Sequence, residues 1–114
     1  MNTILLQKTY GLYNQLSQHI ARFPKFERYS LGLKIDNSCL LLLEQIITAE
    51  QTMPVLKDKA LLEASVKAEI IKILLRLALE QKLIKETNYF AWSAMLIEIG
   101  RMIGGWKKSL RVQN

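Results

Sequence analysis

Cysteine and histidine occur once each and proline only twice in the 114 residues. A lone cysteine has no internal disulfide partner, and Cys39, set in "NSCLLLLEQII", reads as a small core hydrophobe of a chain in a reducing, cytoplasmic setting. With so few metal-ligating and nucleophilic side chains there is no zinc constellation and no nucleophile–base set, so the expectation is a non-enzyme with no catalytic residue, metal or cofactor. His19 lies among polar residues and reads as an exposed side chain. Long apolar runs are also missing. The most apolar windows, "IIKILLRLAL" and "AMLIEIGRMIGGW", are broken by Lys72 and Arg76 and by Glu98 and Arg101, short of the roughly 20 apolar residues of a membrane span. "MNTILLQK" has too short an apolar stretch for a targeting segment. Acids are the scarcer charge, ten against sixteen bases for a net +6, which favours anionic partners such as nucleic acid, acidic protein surfaces or anionic lipid. Charge alone does not choose among them.

What is present is an ordinary globular composition, half apolar and nearly a quarter charged, and the whole chain, 1–114, reads as one domain. Its few breakers divide it cleanly: Pro24, then "EQTMPVLKD" with Pro54, then "KLIKETN". The segments between them keep helical periodicity without strand alternation, which predicts helices near 3–21, 26–50, 57–83 and 88–111. Short connections make neighbours antiparallel, so the expected fold is all-α, an up-down four-helix bundle.

The apolar patterning exceeds what one core needs. The first helix is simply amphipathic, with Leu6, Thr9, Tyr13, Leu16 and Ile20 on one side. The second places Leu31, Ile35, Cys39, Leu42 and Ile46 inward, while Tyr29, Leu33, Leu40 and Ile47 form a separate line. Leu33, Leu40 and Ile47 recur every seven residues, the spacing of an interhelical seam. The third carries Leu62, Val66, Ile70, Ile73, Leu74 and Leu77 on one stripe and Leu61, Ala64, Ala68, Ile71, Leu75, Ala78 and Leu79 on another. A bundle helix buries one stripe in its own core, and the second needs another cover. The expectation is a homo-oligomer with Tyr29, Leu33, Leu40, Ile47, Leu61, Ile71, Leu75 and Leu79 at its interface.

Two stretches hold unusual residues. In "FPKFERYSLG" Pro24 stops the first helix and starts the next, Phe23 and Phe26 are expected to close the corner together, and Glu27 favours the positive end of the new helix. Arg28 falls on the inward side. It is either a guanidinium paired with a carboxylate such as Glu27 or Glu98, or a binder of phosphate. In "EIGRMIGGW" Gly100 and Gly104 share a ridge, and since glycine inside a helix costs about 1 kcal/mol relative to alanine, close approach of another backbone is the expected return. The chain's end carries Arg101, Lys107, Lys108 and Arg111 with no acid after Glu98. In a monomer these cations only complement the helix C-terminus; multiplied by symmetry they form a patch that binds phosphates. Arg76 and, as a weaker addition, Lys34 join them as candidate nucleic-acid or partner contacts. Glu69, Lys72, Arg76 and Glu80 form an alternating-charge ridge suited to solvated pairs.

"FPKFERYSLGLKI", "LLRLA" at 74–78 and "EIGRMIGGW" at 98–106, in that order, resemble the accessory variability determinant (Avd) proteins of diversity-generating retroelements. The matching positions are Phe23, Pro24, Lys25, Glu27, Arg28, Tyr29, Leu31, Gly32, Arg76, Glu98, Gly100, Arg101, Gly104, Gly105 and Trp106. A related group, the four-helix proteins encoded in intervening sequences of ribosomal RNA genes, shares the corner but continues into a small-residue "N-I-A-E-G" segment. This chain instead reads "LLLLEQIITAEQ". The resemblance implies a homopentameric barrel acting as a non-enzymatic partner of the element's reverse transcriptase in mutagenic cDNA synthesis, with template RNA or cDNA held by basic surface. A charge of +6 is modest for such a family, which ranks protein partnership above autonomous RNA binding. The alternative is a helical scaffold of the intervening-sequence type with no polymerase partner, and genomic neighbourhood discriminates the two.

Overall fold

The structure, a computed structural model, describes residues 3–112. Helices α1 (Thr3–Ile20), α2 (Lys25–Tyr29), α3 (Leu31–Gln51), α4 (Pro54–Glu80) and α5 (Glu86–Val112) follow one another, and the described residues contain no strand. The four long helices pack together, each touching two of the others, in the order α1, α3, α4, α5 and back to α1. Cross-links between α1 and α5 fix their direction. Lys8 meets Glu98, Gln15 meets Trp92 and His19 meets Asn88, so numbering rises on one helix as it falls on the other. The bundle is antiparallel, up-down-up-down.

Most of the helix boundaries follow local chemistry. Pro24 is the N-cap of α2, with its own φ of −53° and Phe23 buried beneath it. Phe26, expected to join Phe23 in closing the corner, points outward instead. The predicted second helix is in fact two. At Ser30 the backbone departs to φ −110° and ψ −91°, while the hydroxyl donates to the carbonyl of Phe26 at 2.9 Å. Serine competes for helix carbonyls in this way, and that competition favours a bend. The loop expected around Pro54 is shorter than the sequence indicated, because proline is at home in the first turn, where no N–H is needed, and α4 begins on it. The end of α3 is closed by Lys57, whose ammonium donates to the carbonyl of Ala49.

The remaining boundary falls at the "KLIKETN" break, where no glycine or proline marks the turn. Helix α4 stops at Glu80 because Lys82 adopts a left-handed φ of 62°. The Leu83 N–H then reaches back to the Ala78 carbonyl at 2.9 Å and the Lys82 N–H to that of Leu79 at 3.0 Å. This is the Schellman arrangement, usually built on glycine.

The core takes Leu5, Leu12 and Leu16 from α1, Ile35, Cys39, Leu42 and Ile46 from α3, and Trp92, Leu96, Ile99 and Ile103 from α5. Thr9 is buried among them, satisfied by a 2.9 Å hydrogen bond to the Leu5 carbonyl. On α4 the buried stripe is Leu61, Ala64, Ala68, Ile71, Leu75 and Ala78. That corrects part of the expected oligomer interface: Leu61, Ile71 and Leu75 are sealed inside the chain's own core, and Leu79 is half-buried against it. The other stripe is the uncovered one, with Leu62 at 51% exposure and Val66, Ile73 and Leu77 beside it. Small residues explain the choice. The alanines at 64, 68 and 78 present little bulk, which lets the α4 backbone sit close to its neighbours.

Candidate functional site

Outward-facing chemistry begins with the apolar line on α3. Leu33, Leu40 and Ile47 are exposed as expected, with Tyr29 leading into them from α2. Ile47 also lines an apolar groove with Leu6, Tyr10 and Leu43 where α1 meets α3. Together with Leu62, Val66, Ile73 and Leu77 on α4, these residues give the chain two greasy stripes that its own fold leaves uncovered.

The second half of α5 holds the cations. Leu96, Ile99 and Ile103 bury one side of that helix, with Met102, Trp106 and Leu110 packed partly against the core. Arg101, Lys108 and Arg111 are exposed on the remaining sides and Lys107 is half-buried. None of these cations has a carboxylate partner among the described residues, where the ion pairs are Lys8–Glu98, Lys72–Glu69 and Arg76–Glu80. The register set by Lys8 and Glu98 places the start of the described α1 opposite residue 103, so Lys107, Lys108 and Arg111 extend past it.

The glycines of this segment do not serve the chain's own packing. A Cβ added at Gly100, Gly104 or Gly105 would meet nothing within 4 Å, so the close approach expected there is not made inside the chain. The glycine that does permit contact is Gly32, whose missing Cβ would stand 2.8 Å from Cγ2 of Ile20 and 3.2 Å from the carbonyl oxygen of Glu27.

The structure divides the six candidate cations. Arg76 and Lys34 lie toward the opposite end of the bundle from Lys107, roughly 25 Å away along the axis at about 1.5 Å per residue. Arg76 belongs to the solvated ridge, 3.5 Å from Glu80, beside the 2.7 Å pair of Lys72 and Glu69. Such pairs add little stability at the surface. Arg28 pairs with neither Glu27 nor Glu98 among the described residues, and Glu98 is held by Lys8. Its guanidinium lies 5.7 Å from the centre of the Tyr29 ring, and its Nε is buried without a hydrogen-bond partner.

His19 is the clearest departure from sequence expectation. Instead of standing free it is half-buried, its ring edge-on to Trp92 at 5.1 Å and its Nε2 3.4 Å from the Asn88 amide. The Trp92 indole N–H donates to Gln15 at 3.0 Å. Burial, then the charges of Arg22 and Lys85, push the His19 pKa below its usual 6.5, so the ring is neutral at pH 7. His19, Gln15, Gln18, Arg22, Asn88 and Trp92 surround a polar recess of about 240 Å³ between α1 and α5. No local sequence signal links positions some 70 apart, so only folding brings them together.

Cys39 is fully enclosed, and burial, reinforced by the charge of Asp36, pushes its thiol up to about 12. The described residues contain no group of three or more His, Cys, Asp or Glu placed to hold a metal, and no helix among them is long and apolar enough to cross a membrane. A family model described as bAvd-like matches residues 3–110. No curated protein and no solved structure matches the chain.

Proposed function

The chain belongs to the bAvd-like family, and from that premise we propose that it is a non-enzymatic accessory subunit of a diversity-generating retroelement, binding the element's reverse transcriptase and its template RNA or cDNA in the cytoplasm. The observation that carries the contact surface is the set of cations on α5, Arg101, Lys107, Lys108 and Arg111, none of which is neutralised within the described chain. Cations with no internal partner keep their full charge for an external anion, and open glycines beside them let a partner's backbone come close.

Assembly supplies the remainder of the proposal. Sister copies cover the stripes of Leu33, Leu40 and Ile47 on α3 and Leu62, Val66, Ile73 and Leu77 on α4, most simply in the homopentameric barrel that the family resemblance implies. Symmetry then repeats the α5 cations once per subunit around the assembly. Arg76 and Lys34, at the other end of the bundle, form a second and weaker contact region.

The test is charge reversal at Lys107, Lys108 and Arg111 together, assayed with the element's own polymerase and template RNA across a salt series. The expected result is a loss of binding of more than tenfold, with the salt slope shallower by about 0.7–0.9 for each phosphate contact removed. A variant that stays folded and assembled and binds both partners unchanged refutes the assignment.

A further inference from the structure

The recess between α1 and α5 is not used by the proposed α5 contact surface and lies toward the opposite end of the bundle. Its lining is chemically mixed: carboxamides from Gln15, Gln18 and Asn88, the His19 ring, and the Arg22 guanidinium, with no carboxylate. Part of this set is already committed. Gln15 accepts from the Trp92 indole and Gln18 donates to Asn14, which holds the walls in place. The Gln15 amide N–H groups, the Gln18 and Asn88 carbonyl oxygens and the Arg22 guanidinium have no partner within the described chain. Trp92, 5% exposed, forms the floor.

We propose that this recess binds one nucleotide unit, the carboxamides pairing with the edge of an unstacked base and Arg22 with its phosphate. A volume of about 240 Å³ is below the roughly 300–1,000 Å³ of drug-sized sites and admits a single base rather than a duplex. Mixed donors and acceptors match a base edge, as in the recognition of splayed single-stranded bases. The alternatives each leave something unmatched. A neutral sugar leaves Arg22 and the nearby Lys85 uncompensated; an acidic peptide side chain answers the cations and the Gln15 N–H groups but not the Gln18 and Asn88 carbonyl oxygens. The site stands apart from the α5 surface and does not require it.

The experiment titrates the full-length, assembled protein with each of the four 5′-nucleoside monophosphates, with a single-stranded tetranucleotide, and with inorganic phosphate. The readout is the indole N–H resonance of Trp92, while that of Trp106, beside the α5 cations, reports binding at that surface separately. A saturable shift of Trp92, weakened at least tenfold by Arg22→Ala and by Gln18→Ala, is the expected result. Both side chains are exposed, so the fold survives their loss, and thermal melting checks this. Response to the tetranucleotide but not to monophosphates assigns the site to a strand; response to both assigns it to free nucleotides as well. No saturable shift with any nucleotide, equal response to inorganic phosphate, or undiminished binding by both variants overturns the proposal. The Lys107/Lys108/Arg111 reversal leaves this shift intact, so failure at the recess and failure of the α5 contact are read separately.

Discussion

Replacing Gly32 with alanine sets two known effects against each other, and the geometry decides the sign. The favourable effect is the helix preference of alanine over glycine, at most about 1 kcal/mol and less in a first turn. Against it stands a methyl group placed 2.8 Å from Cγ2 of Ile20, 3.2 Å from the backbone oxygen of Glu27 and 3.4 Å from the Phe23 ring. Neither of the nearer atoms yields readily. Cγ2 belongs to a β-branched side chain with one favoured χ1 in a helix, and the carbonyl is part of α2 itself. Overpacking of this kind costs about 1–3 kcal/mol, so the net expectation is a destabilisation of about 1–2 kcal/mol. For a chain of this size that lowers Tm by roughly 4–8 °C. The control is Gly104→Ala, where the added methyl meets nothing within 4 Å and the same substitution stabilises by about 0.5–1 kcal/mol. Calorimetric melts at equal protomer concentration compare them, since assembly makes Tm concentration-dependent. A Gly32→Ala protein as stable as the parent would refute the close contact between the corner and α1.

Three further outcomes follow from particular residues. Lys82→Gly relieves a left-handed φ of 62° and raises stability by up to about 1 kcal/mol in urea unfolding, whereas a loss would mean that the lysine contributes something the turn geometry does not. Cys39, with its thiol pushed up to about 12 by burial, resists iodoacetamide at pH 8 until denaturant is added; alkylation of the native protein at the rate of a free peptide thiol contradicts the enclosed position. On α4, Leu61→Ala costs about 2–5 kcal/mol while Leu62→Ala costs less than about 1 in the isolated subunit, and Leu62→Glu with Ile73→Glu lowers the solution mass without loss of helicity. Unchanged mass in that double variant removes the α4 stripe from the proposed assembly.

The sequence by itself determined the helical class, the corner at Pro24 and the inward face of α3, because 3.6-residue periodicity and proline sterics act locally. It also determined the family, through three short stretches whose order and spacing combine. It could not determine which of two apolar stripes on α4 turns inward. Both have helical spacing, and the choice rests on how closely α3 and α5 approach, which the alanines at 64, 68 and 78 permit. The reversal at Lys82 was likewise decided by tertiary structure, since lysine does not force that conformation and the packed helices on either side over-determine it. The same holds for the recess around His19 and Trp92. Residues about 70 positions apart share it only because two antiparallel helices hold a common register, and that register is a property of the packed core.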